Sequence, residues 1–352
     1  MTKTILTITG IRPDFIRMSE IFKKLDENFN HILIHTGQHY DKMLSDVFFD
    51  ELEIRKPDFN LEIGSKGKEH YHQLADLSVK IIELIKNNNI TPDLIIFLGD
   101  SNSALAAVPL KKEGYKIAHI EAGMRSGDKR MLEEINRIVC DHCSDFLFVY
   151  HENYKQKILK ESISENDIYV VGNTIYEVAN KIKFTNPKEN KKIILDIHRP
   201  ENFKYKNRLE NIIKYSNMCY EKFGIEVEML SFPRTISMLN EFDIDLGNIK
   251  VIDLLSFKNY LTNVYNSLFI ISDSGTAQEE PAIFNTPVIV PRDFTERPES
   301  IESGCSFMLD VNSLNDTWEK SFTFIENYSP SIEWLGDGNT SNKIINILKE
   351  KL

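Results

Sequence analysis

The sequence predicts an α/β protein built from two successive doubly wound parallel-sheet halves, and three observations lead there. Short apolar runs alternate with longer helical patterns from end to end. The runs are nearly continuous rather than alternating in polarity, which suits strands covered on both faces. The pattern also restarts after about residue 180, past the polar, proline-containing stretch Lys183–Lys192 (KFTNPKENKK). At 352 residues the chain is long enough for two ordinary domains. The expected division is 1–182 and 183–337. The closing helix, 338–352, is a candidate to join the first half, although the sequence alone allows either.

Composition narrows the function. With 41% apolar and 27% charged residues the chain is globular rather than disordered or low-complexity. A formal charge of -11 argues against general affinity for nucleic acid or anionic membrane, leaving room only for a local basic pocket. No apolar run approaches the ~18 residues of a membrane span, and MTKTILTITG reads as a first strand rather than a signal peptide. Four cysteines (Cys140, Cys143, Cys219, Cys305) are too few for a disulfide scaffold, so a reducing cytoplasm is the expected setting.

The first half opens on TILTIT (4–9), followed at once by Gly10-Ile11-Arg12-Pro13-Asp14 and a helical pattern over 13–27. Glycine permits a tight turn there, and Arg12 would stand at the strand's carboxyl end, where a guanidinium can clamp a phosphate. Taken alone, Arg12 reads equally well as a surface residue. Neither a G-x-G-x-x-G turn nor a Walker loop is present, so a dinucleotide cofactor finds no support. HILIHT (31–36) comes next, with helices over 41–52 and 70–88. LIIFLG (94–99) runs into Asp100 and a helix over 103–114, and KIAHI (116–120) ends in Glu121-Ala122-Gly123. Asp100 alone serves as well for a helix cap. Two carboxylates at neighbouring strand ends are harder to dismiss, because like charges in one cleft raise one pKa and so supply an acid and a base together. In RMLEEINRIVCDHC (130–143), Glu133, Arg137 and Asp141 fall on one helix face, which in its blandest form is a solvated salt-bridged stripe. Cys140, His142 and Cys143 lack the second ligand cluster that zinc requires and read as helix-packing residues. FLFVY (146–150) is the last strand of this half.

The second half starts with KIILDI (192–197), which leads into His198-Arg199-Pro200-Glu201-Asn202. IEVEML (225–230), LFIIS (268–272) and PVIVP (287–291) follow, with helices between. LFIIS meets Ser272-Asp273-Ser274-Gly275-Thr276-Ala277-Gln278-Glu279-Glu280, a small-residue turn that opens a helix. Backbone N–H groups and the dipole at such a start bind phosphate, with Ser274 and Gly275 allowing close approach. Glu279 or Glu280 can accept from ribose hydroxyls, and Arg292 and Arg297 can add charge against the same diphosphate; the two glutamates also make ordinary first-turn residues. Ligands of such sheets lie beyond the strands' carboxyl ends. The halves are therefore expected to face a central cleft that gathers Arg12, Asp100, Glu121 and His198.

With these blocks in place the chain resembles the non-hydrolysing UDP-N-acetylglucosamine 2-epimerases, of the two-Rossmann-domain glycosyltransferase-B architecture. The resemblance runs in order through GIRPD (10–14), HTGQHYD (35–41), GDSNS (99–103), EAGMRSGD (121–128), EEINR (133–137), VGNT (171–174), HRPEN (198–202), SDSGTAQEE (272–280) and RDFTERPE (292–299). It implies interconversion of UDP-GlcNAc and UDP-ManNAc without metal or NAD, in a cytoplasmic homodimer. The implied mechanism eliminates UDP across C1–C2 to a 2-acetamidoglucal and re-adds it with opposite C2 configuration. Carried over by position, Asp100, Glu121, Glu133 and His198 are catalytic. Arg12, Ser274, Gly275 and Arg297 would hold the diphosphate, Arg137 would support them, Glu280 would bind the ribose, and Tyr260 would lie near the uracil, with Phe257 its neighbouring candidate. Gln38 and Arg199 match sugar or effector contacts, whereas Phe232 stands where relatives often have His, which weakens the case for an effector site. Glu121 to Glu133 is two residues shorter than in the best-known bacterial members, and Leu132 replaces a usual Pro. That shorter form is similar to archaeal members and to epimerases of 6-deoxy or uronic UDP-sugars. A glycosyltransferase of the same architecture is a further alternative.

Overall fold

The computed structural model describes residues 2–37, 46–64, 69–128 and 130–352. They form two compact units, residues 1–178 with 335–352, and residues 179–334. The first is built on β1 (Thr4–Thr9), β2 (Asn30–His35), β3 (Phe59–Asn60), β4 (Leu94–Leu98), β5 (Ile117–Ile120), β6 (Phe146–Val149) and β7 (Ile168–Val170), in the spatial order β3-β2-β1-β4-β5-β6-β7. The second is built on β8 (Lys192–Asp196), β9 (Glu226–Leu230), β10 (Lys250–Ile252), β11 (Ser267–Ser272), β12 (Val288–Val290) and β13 (Ser306–Met308), ordered β10-β9-β8-β11-β12-β13. All described pairings are parallel. Each sheet reverses its winding direction between two neighbouring strands, β1 and β4 in one unit and β8 and β11 in the other. Chain crossing away from such a point leaves the crevice in which doubly wound sheets bind ligands.

The central strands are the apolar runs of the sequence. β4, β5 and β6 are buried throughout, as strands covered by helices on both faces must be. The strands at or near the edges escaped the sequence reading. β3, β7, β10 and β13 are two or three residues long, and β7 and β10 contain exposed positions, so no apolar run marks them. Helix α1 (Arg12–Asn28) starts with Pro13 in its first turn, where a missing N–H costs nothing. Asp14 in the same turn accepts from the Gly10 and Ile11 amides at 3.2 and 3.3 Å. The single helix expected over 103–114 is instead a 3₁₀ segment, Asn102–Ala106, running into a short α-helix, Ala107–Lys112. Of the expected helix 41–52, Asp46–Leu52 lies within the described residues.

Three further helices matter below: α2 (Leu132–Cys143), α3 (Phe257–Tyr265) and α4 (Thr340–Lys351). Helix α4 packs in the first unit, against α1. Its first turn is fixed by Glu177, which accepts from the Ser341 amide at 2.7 Å and the Ser341 hydroxyl at 2.6 Å. Ile344, Ile345 and Leu348 form its buried stripe. Leu348→Ala should therefore lower the unfolding free energy of the first unit by about 2–4 kcal/mol. Lys349→Ala, on the exposed side, should change it by less than about 0.5 kcal/mol. Urea titration reads both, and equal effects would mean that α4 is only loosely docked.

Candidate functional site

In the first unit the switch between β1 and β4 sets two turns against each other. A side chain at Gly10 would bring a Cβ within 2.1 Å of the Ser103 hydroxyl, so only glycine lets the turns approach. Gly99 takes the left-handed conformation (φ +70°) that turns the chain out of β4 toward Asp100. Glu121 adopts the same conformation (φ 69°) without being glycine, a strained position of the kind found at functional turns. Buried side chains hold that strain. Arg17 of α1, 5% exposed, pairs with Glu121 and, at 3.0 Å, with Asp14. The Tyr150 hydroxyl adds a bond to Glu121 at 3.3 Å. Asp100 pairs with Arg137 of α2, whose side chain water does not reach, and Glu134 lies 3.6 Å from the same guanidinium. Asn136 ties the Asp100 carbonyl to the same helix at 2.8 Å.

Helix α2 is inverted relative to an ordinary surface helix. Glu134, Asn136, Arg137, Cys140 and Asp141 are buried, while Leu132 and Ile135 are 63% and 55% exposed. The solvated stripe that was the bland reading of Glu133, Arg137 and Asp141 is thereby corrected: Arg137 and Asp141 face inward, and Glu133 is half-buried near the helix start. Glu134 accepts from the Ser126 and Gly127 amides at 3.0 Å each, fixing the loop before the helix. Asp141 accepts from the Gly123 amide at 3.1 Å and from Arg125 at 2.7 Å. Its other oxygen meets His119 Nδ1 at 2.6 Å, while His119 Nε2 faces the Gly99 carbonyl at 2.8 Å. Two acceptors at the two ring nitrogens require both to carry hydrogen. Burial works against that charge, but Cys140 and Asp141 outweigh it and hold the imidazole well above its ordinary value.

In the second unit the corresponding switch lies between β8 and β11. Asp273 joins their ends: its carboxylate accepts from the His198 and Arg199 amides at 3.0 and 3.1 Å and from Asn202 at 3.0 Å. His198 Nδ1 lies 2.8 Å from Asp196, its ring tilts against Phe232 with centroids 4.8 Å apart, and 32% of its side chain is exposed. Asp196, His198 and Asp273 bring potential ligand atoms within 4.8 Å of one another. Their carboxylate oxygens already accept protein N–H and O–H donors, which is the pattern of a hydrogen-bonded cluster.

The helix expected to open at Ser274 is only a 3₁₀ turn, Thr276–Gln278, and a four-residue helix, Glu280–Ile283. Pro281 cannot donate back to the preceding turn, so a strong helix dipole does not form there. Positive charge comes from side chains instead. Arg297, 3% exposed, pairs with Glu279 at 2.8 Å and with Glu296. A Cβ at Gly275 would stand 2.7 Å from the Arg297 guanidinium, so glycine brings the turn against that cation. Arg292 is equally buried, 3.2 Å from Glu296.

Of the sequence candidates, the structure gathers Arg12, Asp100, Glu121, Glu133 and Arg137 at the strand ends and on α2 of the first unit. It gathers His198, Arg199, Tyr260, Ser274, Gly275, Glu280 and Arg297 at the strand ends and on α3 of the second. The Tyr260 ring packs into a cluster with Ile194 and Val264. Arg12 sits over the Phe48 ring at 5.4 Å. Gln38 lies outside the described residues. Asp14, Arg17, His119, Asp196 and Asp273 were missed. The signal available for several of them was a charged residue inside or next to an apolar run, as in KIAHI and KIILDI.

A family model for UDP-N-acetylglucosamine 2-epimerase matches residues 23–349. The chain is 35% identical to UDP-N-acetylglucosamine 2-epimerase of Methanococcus maripaludis, over 97% of each chain. It is 33% identical to UDP-2,3-diacetamido-2,3-dideoxy-D-glucuronate 2-epimerase of Pseudomonas aeruginosa, over 87% of this chain and 88% of that one. Among solved structures it is similar to Methanocaldococcus jannaschii UDP-GlcNAc 2-epimerase in complex with UDP-GlcNAc and UDP, with a TM-score of 0.88, 33% identity and 99% of each chain covered.

The geometry around Asp14 makes a pH prediction. Burial, opposed by Arg17 and reinforced by Asp100, pushes its carboxyl up to about 6. The folded chain then binds more protons than the unfolded one between the ordinary value of 3.8 and about 6, so this group's contribution to stability falls as pH rises through that interval. Carboxyl ¹³C titration should place Asp14 near 6, and a midpoint in the ordinary aspartate range would contradict its burial.

Proposed function

Because the chain belongs to the UDP-N-acetylglucosamine 2-epimerase family, we propose that it interconverts UDP-GlcNAc and UDP-ManNAc without hydrolysis, supplying precursors of surface polysaccharide. In this reading C2–H loses its proton to a carboxylate while the C1–O bond breaks toward the diphosphate, giving UDP and 2-acetamidoglucal. Re-addition with protonation of the opposite face inverts C2. Abstracting a weakly acidic proton needs a positioned base, and the departing diphosphate needs positive charge. One observation carries the reading: Asp100 and Glu121, at neighbouring strand ends, are each paired with a buried guanidinium. Glu133 joins them as a third acid–base group, and Arg137 supports the set. Arg12, Ser274, Gly275 and Arg297 take the diphosphate, Glu280 the ribose and Tyr260 the uracil side, while His198 serves the departing oxygen. The Pseudomonas aeruginosa relative supports a second reading, in which the same chemistry acts on a uronic or 6-deoxy UDP-sugar.

A cytoplasmic location goes with a nucleotide-sugar substrate and four unpaired cysteines. Among the described residues no helix is long and apolar enough to cross a membrane. A homodimer is the assembly we propose, supported by the outward apolar face of α2, Leu132, Ile135 and Ile138.

Proton NMR of the enzyme with UDP-GlcNAc in D₂O should show UDP-ManNAc appearing with deuterium at C2. Release of free ManNAc would mean hydrolysis, and turnover confined to uronic or deoxy sugars would favour the second reading. Asp100→Asn and Glu121→Gln should each lower kcat by about 10²-fold or more while UDP binding persists; near-normal rates in both would remove them from the mechanism. Sedimentation should give twice the 40.8 kDa chain mass, and Ile135→Asp should halve it. A wild-type monomer would contradict the assembly.

A further inference from the structure

Asp196 has no role in the reading above, yet the second unit is arranged around it. Along β8, Ile193, Leu195 and Ile197 enter one core cluster, while Ile194 enters the cluster that Tyr260 lies against. Strand alternation therefore turns Asp196 toward Tyr260 rather than into the first core. Its carboxylate, 4% exposed, collects two donors: His198 Nδ1 at 2.8 Å and the Ser272 hydroxyl at 2.9 Å. Asp273 is 3.6 Å from the same ring nitrogen, but its oxygens are committed to two backbone amides and Asn202. The imidazole is thus addressed by Asp196, and Phe232 braces one side of the ring.

We propose that Asp196 is a positioning residue that holds His198 as an imidazolium, with Nδ1–H bound and Nε2–H left to donate. The proposal rests on the reading of His198 as the group that serves the departing diphosphate. As C1–O breaks, its electron pair goes to the diphosphate oxygen and the Nε2 proton follows; on re-addition the proton returns to Nε2. A neutral acceptor at position 196 would keep the ring's orientation but not its charge. The groups facing the ring agree in direction. Burial and Arg199 oppose protonation, while Asp196 and Asp273 favour it and prevail, so the His198 imidazole sits above its ordinary value. Ser272 acts through Asp196.

Long-range ¹H–¹⁵N spectra of ¹⁵N-histidine protein, with His198→Gln for assignment, read the ring directly and need no turnover. In Asp196→Asn the His198 titration should move to lower pH, and Asp196→Glu should restore much of it. Ser272→Ala, which removes a competing donor from the carboxylate, should move it higher and serves if the Asn variant does not fold. With UDP-GlcNAc, the alkaline limb of kcat in Asp196→Asn should shift to lower pH. At alkaline pH kcat should fall by about tenfold or more, with KM within about threefold of wild type. An unchanged His198 titration overturns the proposal, as does a uniform loss of kcat at all pH. A titration that responds to chelator would make the trio a cation site and overturn it equally. If the wild type does not turn over UDP-GlcNAc while the titration shifts as expected, the functional reading fails and the Asp196–His198 pairing stands.

Discussion

Three guanidinium groups almost or wholly beyond the reach of water set the terms for the rest of the molecule. Arg17, Arg137 and Arg297 are each held between two carboxylates: Asp14 and Glu121, Asp100 and Glu134, Glu279 and Glu296. Taking such ions out of water costs several kcal/mol apiece, and attraction offsets this only where geometry is good and the remaining polar atoms find partners. The surrounding turns meet that condition for the carboxylates, whereas Arg17 Nε and Arg137 Nε and Nη1 have no hydrogen-bond partner among the described residues. Asp14 also takes two backbone amides, Glu134 takes two more, and Tyr150 completes Glu121. The trio around Arg17 carries one negative charge more than positive, so one of its carboxylates is under pressure to hold a proton. Asp14, pushed up to about 6, is where that pressure is visible. Charges fixed in this way need little reorganisation when a reaction moves a proton or frees a diphosphate.

The inverted helix α2 follows from the same constraint. A helix that must bring Arg137 to Asp100 and Asp141 to His119 spends its inward face on charges, so its apolar residues go outward. Amphipathicity read from sequence would point this helix the wrong way round. The buried polar face stays tolerable because nearly every group on it closes a loop or a strand end. Asn136 takes the Asp100 carbonyl, Glu134 the 126–127 amides, and Asp141 the Gly123 amide. The proposed site and local stability therefore share the same hydrogen bonds.

Much of the fold was legible because burial on both faces writes itself into sequence as unbroken apolar runs, and every central strand was found that way. The edge strands β3, β7 and β10 were not, since one-sided burial over two or three residues leaves no pattern. The strand-end candidates Arg12, Asp100, Glu121 and His198 were legible because glycine or a small-residue turn beside a charged residue marks a strand end. Arg17 and Asp196 were not. Arg17 looks like one more polar residue on a helix, and Asp196 like an interruption in a strand; their partners Glu121 and Ser272 are distant in sequence. The turn after Ser274 opens only a 3₁₀ turn and a four-residue helix, and Arg292 and Arg297 beside it are paired with Glu279 and Glu296.

The two units use one pairing, an aspartate behind a histidine at a strand end, to opposite purposes, and access to the second ring nitrogen separates them. His119 is fully buried, with Asp141 on one nitrogen and the Gly99 carbonyl on the other. Its proton has nowhere to go, so the pair acts as a clamp that joins the turn before Asp100 to the turn after Glu121. His198 has Asp196 on one nitrogen and about a third of its side chain in solvent. The same electrostatic pairing holds both imidazoles above their ordinary value, but at His198 water reaches the ring. Burial at one strand end and exposure at the other thus separate a structural clamp from the ring to which our proposal gives the moving proton.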